Sequence, residues 1–461
     1  MSQVLSVLST VFWGLLVLSA LVFVHEGGHY LAARALRVRA TEFFLGMPCR
    51  LKLSRKSRKV GTEFGVTPVL LGGYTRICGM EGSEDDLLAP ALALVQERGR
   101  VRADEVAAQL GVDEDRAYAL LATLSDWAAI QPYYDPALGE APNQKTWPAA
   151  FETCARDADL LTEYDRGHDL AAEGSTAAGE PRDPHMSAED FLAHERSRTY
   201  LGCGFVRRVA MLVAGPAVNI FLAFLIVTCA LMVRGVDYAA NVSELGNVAT
   251  ESYAAEAGLL PGDTITEVNG APVATWDELV GAMDPYLAAG EDFSLTYERD
   301  GAVATTTVDL PDGEAVERIG IYSTTATYHP TFLEAARSAV GYAGTVGSYV
   351  SQLIQPQHTM EILDQSSSVV GISVMAAQAA ESGLYDLALI VAAISMSLGF
   401  MNLLPIPPLD GGKILIELIQ LVIRRPLPTR VQNAVSYVGL AFFLFVFVFV
   451  LRNDVVRFVI G

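Results

Sequence analysis

The chain has 461 residues, which is too long for one small domain. Its hydrophobic fraction of 51% and its mean hydropathy of +0.32 predict a chain divided between membrane and water. The net charge of −21 argues against non-specific nucleic-acid binding by the whole chain. The five cysteines form no C-x-x-C pair and have no regular spacing, so neither a disulfide framework nor a cysteine-type zinc site is indicated.

The first predicted element is a transmembrane helix from about Val4 to Tyr30. This run carries no charge before Glu26, and it is long enough to cross a hydrocarbon core of about 30 Å with some tilt. A secretory signal peptide is the alternative interpretation. We favour a retained helix, because no basic residue precedes the run and no small-residue cleavage site follows it.

Near the end of this helix, His25-Glu26-Gly27-Gly28-His29 forms a His-Glu-x-x-His pattern. His25 and His29 are one helical turn apart, so both imidazoles lie on one face and can bind one metal ion. Glu26 lies beside them and can accept a proton from a metal-bound water. A chance match is the alternative, but such residues are costly in a helix that otherwise suits lipid. The pattern therefore predicts a metal site.

The segment after the first helix is basic, with nine lysines and arginines between positions 34 and 59. By the positive-inside rule this side is cytoplasmic, which places the N-terminus outside. Short strands are predicted within residues 62–77, where Gly72-Gly73 indicates a tight turn or a close backbone approach. A strand here can offer an edge to an extended peptide. A plain β-hairpin that covers the helix end is an equally good interpretation. Residues 1–80 are expected to form one region, which contains the first transmembrane helix and a membrane-associated β-hairpin.

Residues 81–200 are predicted to form an acidic cytoplasmic insert, and the stretch 81–206 carries 25 acidic and 10 basic residues. Its first half resembles a winged-helix unit, with a helix, a turn at Gly111, a second helix and an apolar strand at Trp127–Ile130. The second helix opens with three carboxylates, which would repel DNA phosphates. We therefore predict a module that binds a cytoplasmic protein rather than nucleic acid. Residues 137–199 are expected to be a partly disordered linker.

A second transmembrane helix is predicted within residues 207–234, and the basic pair at its start keeps that end cytoplasmic. Ala214-Gly215-Pro216-Ala217-Val218-Asn219 is expected to interrupt the helix. Small residues let helices approach closely, and an amide that faces lipid is costly. We predict that Asn219 packs near the metal helix and contributes to substrate binding. A kinked helix with a solvated Asn219 is the alternative.

Residues 235–325 are predicted to form an α+β domain outside the lipid. This domain lies on the outer side of the membrane if the second helix crosses it. The stretch 254–270 resembles the PDZ family: Pro261-Gly262-Asp263 forms a turn, residues 264–268 alternate, and Asn269-Gly270 forms a hairpin turn. A PDZ domain can bind a peptide by strand addition. A size filter without a ligand is the other interpretation, and the sequence leaves both open.

Residues 326–461 are predicted to form the C-terminal membrane region. A third transmembrane helix is expected from about Leu384 to Phe400, and a last one from about Val435 to Leu451. Directly after the third helix, three prolines and two glycines within residues 401–412 cannot continue a regular helix. Non-helical backbone at membrane depth is tolerated only where it is buried in protein or lines a wet cavity.

This break contains Asp410, the only carboxylate between Asp386 and Glu417. A lone carboxylate in such a place needs a cation, and catalytic zinc usually takes three protein ligands and leaves one position for water. We predict that Asp410 is the third metal ligand. A cap at the start of the next helix is the alternative.

Taken together, these motifs resemble the site-2 protease family of intramembrane zinc metalloproteases, and more closely its bacterial regulator-of-sigma-E type. The resemblance implies Zn²⁺ as the cofactor, His25, His29 and Asp410 as its ligands, and Glu26 as the general base. It also implies that Asn402 contacts an unwound substrate and that the Gly73-Tyr74 hairpin pairs with it. The single PDZ-like domain and the acidic insert depart from the family pattern. The resemblance rests on the following stretches: His25-Glu26-Gly27-Gly28-His29, Gly72-Gly73-Tyr74, residues 214–219, the PDZ-like domain and residues 402–411.

The predicted fold is thus a membrane α-helical bundle of about four transmembrane helices, with an extracytoplasmic α+β PDZ domain and a cytoplasmic winged-helix-like insert. The predicted function is hydrolysis of a peptide bond within single-pass transmembrane proteins, such as anti-sigma-factor-like proteins, after a prior extracytoplasmic cut. The chain would lie in the inner or plasma membrane, in contact with lipid. The alternative is a metal-binding membrane adaptor without turnover, but Glu26 argues against it, because a metal store needs no base there.

Overall fold

The computed structural model describes residues 2–70, 72–80, 85–142, 144, 146, 148–425, 427 and 429–456. The chain divides into two compact units, Met1–Val227 with Ala339–Gly461, and Thr228–Ser338. The helices are α1 (Ser2–Ala35), α2 (Leu88–Arg98), α3 (Ala103–Leu110), α4 (Glu114–Asp126), α5 (Ala188–Arg196), α6 (Phe205–Arg234), α7 (Tyr253–Glu256), α8 (Trp276–Ala289), α9 (Phe332–Ser351), α10 (Pro356–Gln365), α11 (Val369–Ser382), α12 (Leu384–Asn402), α13 (Asp410–Ile423) and α14 (Thr429–Val455). The strands are β1 (Ala40–Leu45), β2 (Leu53–Lys56), β3 (Glu63–Val66), β4 (Gly73–Ile77), β5 (Arg100–Arg102), β6 (Ile130–Tyr133), β7 (Ala150–Thr153), β8 (Val236–Ala239), β9 (Leu245–Val248), β10 (Thr264–Val268), β11 (Ala271–Pro272), β12 (Phe293–Arg299), β13 (Ala302–Val308), β14 (Ile321–Ser323) and β15 (Thr325–Tyr328).

Among the described residues, four helices are long and apolar enough to cross a membrane. The mean hydropathy of their best windows lies between 1.9 and 2.6, which suits the hydrocarbon core of a bilayer. The prediction of about four transmembrane helices is confirmed, and the chain is a membrane α-helical protein that also carries β-sheets. The four segments are Val4–Ala35, Phe205–Arg234, Leu384–Asn402 and Ala434–Val455.

The predicted interruption of the second transmembrane helix is wrong, because α6 continues through Pro216. A proline inside a helix removes one backbone hydrogen bond, and neighbouring helices can compensate in a membrane protein. Here α12 lies directly against this turn: a Cβ atom added to Gly399 would be 2.9 Å from the Pro216 carbonyl oxygen. The absence of a side chain at position 399 therefore lets the two helices pack at the proline.

Other small residues bring the membrane helices equally close. A Cβ atom at Gly14 of α1 would meet Ser373 of α11 at 1.9 Å from its Oγ, and one at Gly28 of α1 would lie 2.5 Å from the Ala214 carbonyl oxygen of α6. Such contacts are typical of membrane bundles, where close packing replaces the hydrophobic effect as the force between helices. They fix α1 between α6 and α11.

Helix α11 has no counterpart among the predicted elements. Its N-terminus is closed by Asp454 of α14, whose Oδ2 accepts hydrogen bonds from the backbone N–H groups of Ser368 (2.5 Å) and Gly371 (3.0 Å). Free N–H groups at a helix start favour a negative charge. A carboxylate 83 or more residues away in sequence gives no local signal, so the start of α11 was not predictable from its own residues.

Residues 40–77 form a four-stranded sheet in the order β2-β3-β1-β4, rather than the expected hairpin. The central strand β1 runs parallel to β3 and antiparallel to β4. The sheet packs on the C-terminal half of α1, where the Phe23 and Phe43 rings meet edge to face at 5.0 Å. Strand β1 was not among the predicted elements, because its strand partners come later in the chain.

The first half of the insert folds in the order α2-β5-α3-α4-β6-β7, with a three-stranded sheet in the order β5-β7-β6. Its core contains Leu92, Val106, Leu121 and Phe151, all of them fully buried or nearly so. The expected strand at Trp127–Ile130 begins only at Ile130, because Trp127 still closes helix α4.

The expectation of a partly disordered linker over 137–199 is wrong. After β7, the segment is held by a buried ion-pair cluster: Arg39 binds Asp165 and Glu195, both at 2.6 Å, and Arg156 binds Glu195 at 2.8 Å. All four side chains are at most 4% exposed. A polar composition predicted disorder, but paired charges can be buried when each has its partner.

The second unit contains the sheet β11-β10-β12-β13 and the two-stranded pairs β14-β9 and β15-β8. Helix α8 begins at a capping box, in which Thr275 and Glu278 satisfy each other's backbone N–H groups. Its buried residues Leu279 and Met283 pack in one core with Ile265 and Leu295 of the sheet. The predicted helix and strands of this α+β domain are therefore present within residues 264–308.

Candidate metal centre

The residues predicted to bind metal come together in the first unit, although Asp410 is 385 positions from His25. The Asp410 Oδ2 atom lies 3.1 Å from His25 Nε2 and 3.2 Å from His29 Nε2. The two Nε2 atoms are themselves 3.2 Å apart. Within the described part of the chain, these three side chains are the cluster of histidine, cysteine and carboxylate groups that can hold a metal ion.

The donor set fits zinc in both chemistry and spacing. Two imidazole nitrogens and one carboxylate oxygen are ligands that zinc prefers, and in tetrahedral geometry ligands at about 2.0–2.1 Å from the ion lie roughly 3.3 Å from one another. The three observed separations of 3.1–3.2 Å are close to that value. Three such electron-rich atoms, with at most small exposure of their side chains, would repel one another without a cation.

The orientation of His29 is fixed from helix α6. Its Nδ1 donates a hydrogen bond to the Met211 carbonyl oxygen at 2.8 Å, which leaves Nε2 as the lone-pair atom that faces His25 and Asp410. Gly215 lies against the same ring, because a Cβ atom there would be 2.3 Å from His29 Nε2. The Nε2 edge of His29 thus needs a glycine at this position of α6.

Asp410 is the first residue of α13, whose N-cap residue is Leu409. The side chain of Asp410 therefore does not occupy the position that a capping carboxylate takes, and its Oδ2 points to the two histidines instead. Gly411 and Gly412 let the preceding loop fold back onto the helix start: Cβ atoms there would lie 2.2 Å from the Leu404 oxygen and 2.5 Å from the Pro407 nitrogen. This close return brings Asp410 into the bundle.

Glu26 lies at the boundary between the metal site and the sheet. Strand β4 contacts Glu26, since Thr75 Oγ1 donates a hydrogen bond to the Glu26 backbone oxygen at 3.0 Å. A Cβ atom at Gly73 would lie 3.5 Å from Glu26 Cγ. The start of β4 therefore lies close to the predicted general base, and a residue larger than glycine at position 73 would crowd the Glu26 side chain.

Strand β4 is the last strand of its sheet, so within the described residues its outer edge pairs with no other strand. Tyr74 is held above the sheet by a stacked contact with Phe44, at 5.2 Å between ring centroids, and its hydroxyl donates to Glu42 at 2.8 Å. Partial burial, together with the Glu42 carboxylate, raises the pKa of the Tyr74 hydroxyl. Tyr74 thus remains a neutral hydrogen-bond donor throughout the ordinary pH range.

Asn402 and Asn219 lie in different surroundings. Asn402 ends helix α12, and its Nδ2 donates to the Leu398 oxygen at 2.9 Å. The side chain of Asn219 is fully buried in α6, where Ser395 of α12 donates to the Asn219 backbone oxygen at 2.9 Å. In this conformation Asn219 offers no surface to a substrate, and its predicted role in substrate binding stays a prediction.

Several residues that contact the predicted ligands and base were not predicted from the sequence. The Met211 carbonyl and the Thr75 hydroxyl carry no sequence signal, since a backbone acceptor can come from any residue type. Gly215 was visible only as part of a small-residue stretch. Its spacing of one helical turn before Asn219 is the signal that could have placed it on the face toward the histidines.

A histidine pair and a carboxylate, set among helices long and apolar enough to span a membrane and with the Glu26 carboxylate next in sequence to His25, are typical of membrane-embedded metal-dependent hydrolases. Comparison with known proteins agrees with this class. The description "Peptidase family M50" matches residues 13–446, and the chain belongs to this family, the site-2 protease family. It is a zinc metalloprotease.

The chain is also similar along nearly its whole length to several curated proteins. It is 26% identical over 454 residues to "Regulator of sigma-W protease RasP" of Bacillus subtilis, covering 97% of this chain and 99% of that protein. It is 26% identical to "Zinc metalloprotease RasP" of Geobacillus kaustophilus, covering 96% and 97%, respectively. The protein of the same name from Bacillus licheniformis is 25% identical, with 98% and 99% covered.

Proposed function

We propose that this protein hydrolyses a peptide bond inside the membrane, within single-pass transmembrane proteins that have already been cut on the outer side. The observation that carries the proposal is the convergence of His25 and His29 from α1 with Asp410 from α13, at separations of 3.1–3.2 Å. Helices α1 and α6, which surround these donors, have the hydropathy of membrane spans. A hydrolytic site among such helices suits a substrate that is itself in the membrane.

In this proposal His25, His29 and Asp410 hold the zinc ion, and Glu26 is the general base. Zinc, when bound, supplies a Lewis acid that polarises a carbonyl group and lowers the pKa of water. Glu26 takes the proton from the attacking water and passes it to the nitrogen of the leaving amine. His29 is kept in the productive tautomer by the Met211 carbonyl.

The substrate must become extended before it is cut, because the carbonyl groups of a helix are hydrogen-bonded. The outer edge of β4 supports a binding mode in which the unwound segment adds as a further strand beside Gly73 and Tyr74. The short distance between Gly73 and Glu26 then brings a substrate carbonyl near the base. Asn402 at the end of α12 is proposed to hydrogen-bond the substrate backbone from the other side.

The orientation and the accessory domains belong to the same proposal. The basic residues that follow α1 favour a cytoplasmic position for the insert, so the N-terminus and residues 235–325 would be extracytoplasmic. The element order of residues 88–153 supports a winged-helix-like module, and that of residues 245–323 supports a PDZ-like domain. The name of the Bacillus subtilis relative refers to sigma-W, which supports anti-sigma-factor-like membrane proteins as substrates here. The acidic insert is proposed to bind a cytoplasmic protein and not nucleic acid.

The test uses the full-length protein with Glu26→Gln and a single-pass reporter that lacks its outer domain. We expect the variant to keep stoichiometric zinc and to lose cleavage, because glutamine cannot accept the proton. Glu63→Gln on β3 is the matched control, since Glu63 pairs with Lys52 at the sheet surface, and it should cleave at the parental rate. Parental cleavage by Glu26→Gln would refute the general-base assignment, and absence of zinc from the parental protein would refute the metal centre.

Orientation is tested with a membrane-impermeant maleimide on intact cells, after Cys49 and Cys229 are replaced by serine. A cysteine introduced at the exposed position Thr305 should be labelled from outside. One introduced at the exposed position Glu173 should be labelled only after the membrane is opened. The reverse pattern would overturn the proposed topology without affecting the chemistry.

A further inference from the structure

The two histidines of the metal centre differ in how their outer nitrogens are satisfied. His29 Nδ1 has the Met211 carbonyl as its partner at 2.8 Å, whereas His25 Nδ1 is buried and has no hydrogen-bond partner among the described residues. Metal-binding histidines almost always donate this second N–H group to an acceptor, which fixes the ring and its tautomer. An acceptor for His25 is therefore needed.

A second unsatisfied group lies in the same bundle. Asn219 is fully buried, and neither its Nδ2 nor its Oδ1 has a hydrogen-bond partner within the described part of the chain. A carboxamide in a membrane helix that finds no partner is costly. His25 lacks an acceptor and Asn219 carries a free acceptor, so the two groups are chemically complementary.

The packing of α1 against α6 sets these two residues at the same level. Ala33 of α1 clusters with Met211 and Leu212 of α6, while Leu21 clusters with Leu222. Residues earlier in α1 therefore meet residues later in α6, and the two helices are antiparallel. Between these two levels, Gly28 meets Ala214 and His29 meets Gly215.

The helical periodicity then decides which side chains face each other. Gly215 and Asn219 are one turn apart on one face of α6, and His29 and His25 are one turn apart on one face of α1. Because Gly215 lies against the His29 ring, the next turn of each helix brings Asn219 opposite His25.

We infer that Asn219 is a positioning residue for the metal centre, whose Oδ1 accepts the Nδ1–H hydrogen bond of His25 when zinc is held. This role rests on the proposed assignment of His25 as a zinc ligand. It is an alternative to the predicted contact between Asn219 and the substrate, because the amide is fully buried in this structure. A hydrogen bond at Nδ1 keeps the lone pair of Nε2 directed at Asp410 and His29 and makes the imidazole a stronger ligand.

The experiment measures zinc affinity of the purified full-length protein by competition with a chelator, beside cleavage of the reporter. Asn219→Leu and Asn219→Ala remove the acceptor and should weaken zinc binding by about 10–100-fold. Asn219→Asp keeps an acceptor oxygen and should hold zinc near the parental affinity. In the cobalt-loaded protein, the visible spectrum should change with Asn219→Ala and not with the matched control.

The matched control is Thr228→Val. Thr228 lies on the same helix, is 2% exposed, and its hydroxyl also lacks a hydrogen-bond partner among the described residues, but it lies more than two turns beyond Asn219. It should leave zinc affinity and the cobalt spectrum unchanged. An equal loss of zinc in Thr228→Val would mean that any buried polar group on α6 matters, and the inference would fall.

The remaining outcomes separate the inference from the function on which it rests. Unchanged zinc affinity in Asn219→Ala, with a raised KM for the reporter, would overturn the positioning role in favour of substrate binding. No zinc in the parental protein would overturn the metal centre itself. If Asn219→Leu does not fold, Asn219→Ala and Asn219→Asp decide, since parental affinity in both contradicts the role and a loss in the alanine variant alone supports it.

Discussion

This protein has two clusters of ionisable side chains that are similarly buried. They differ in whether their positive and negative charges balance. At the metal centre, His25, His29 and Asp410 bring three donor atoms within 3.2 Å of one another and include no permanent cation. In the second cluster, Arg39 and the insert residue Arg156 are paired with Asp165 and Glu195 of the insert, so positive and negative charges balance.

The difference separates a binding site from a structural element. In a balanced cluster each charge has a partner within the protein. Its residues hold together segments that are distant in sequence, here the residue before β1 and the insert. A cluster that consists only of lone-pair donors is incomplete without an ion from outside. Burial of polar groups alone therefore does not indicate a functional site, whereas burial of ionisable groups without charge partners does.

The largest effect should come from removing a ligand. Asp410→Ala leaves only the histidine pair, and we expect zinc affinity to fall by more than about 100-fold, beyond the effect of an outer hydrogen-bond partner, with loss of reporter cleavage. Zinc content after dialysis against a chelator measures it. Asp386→Ala, a carboxylate at the start of α12, serves as the control, and equal zinc loss in both variants would contradict the ligand assignment.

Breaking the balanced cluster should affect stability rather than chemistry. Glu195→Ala leaves Arg39 and Arg156 without a shared acceptor, and it should lower the free energy of unfolding of the region by about 3–5 kcal/mol. Hydrogen exchange of residues 156–196 in the full-length protein measures this directly. Lys52→Ala, which breaks the half-exposed pair with Glu63, should cost about 1 kcal/mol or less, and a similar loss for both would remove the distinction.

Two glycines near the metal centre, Gly215 of α6 and Gly27 of α1, should respond differently to alanine. Gly215→Ala places a methyl group 2.3 Å from His29 Nε2, so the ring must move and zinc affinity should fall by about 10-fold or more. Gly27→Ala meets nothing within 4 Å and should keep zinc. If Gly215→Ala keeps the parental zinc affinity, α6 must move away from His29 without displacing the ring, and the expectation would be contradicted.

The pH dependence of the balanced cluster is a smaller effect than the loss of Glu195. Burial disfavours the charged form of Asp165, but the Arg39 and Arg198 guanidinium groups outweigh this and lower its pKa to about 2. Because the folded pKa is depressed, the stabilisation is complete above the ordinary pKa near 4 and is lost as the pH falls toward 2. We expect a decrease of about 2 kcal/mol in the free energy of unfolding over this interval.

Asp165→Asn should reduce the decrease in the free energy of unfolding between about pH 4 and pH 2. Chemical unfolding at several pH values measures this free energy. Asp104→Asn, at an exposed position on α3, is the control and should retain the parental slope. A parental slope in Asp165→Asn would assign the acid sensitivity to another carboxylate.

The elements that were predicted correctly are those whose signal is local. The four membrane helices follow from uninterrupted apolar length, and α8 and β10 from periodicity and turn residues. The elements that were missed depend on distant partners: β1 lies between two strands that come later in the chain, and α11 is closed by Asp454. The expectation of a linker over residues 137–199 is wrong, because composition does not reveal that the charges of this segment are paired.

By itself, the sequence determined that His25, Glu26 and His29 share one turn of a membrane helix, since a spacing of four residues fixes a common face wherever the helix lies. It also marked Asp410 as an unpaired carboxylate in a broken helix. Only the tertiary structure decided that Asp410 meets the histidines, that Gly215 makes room for His29, and that Arg39 binds the insert. Those contacts join residues far apart in the chain, and their distances come from helix packing, which no local pattern encodes.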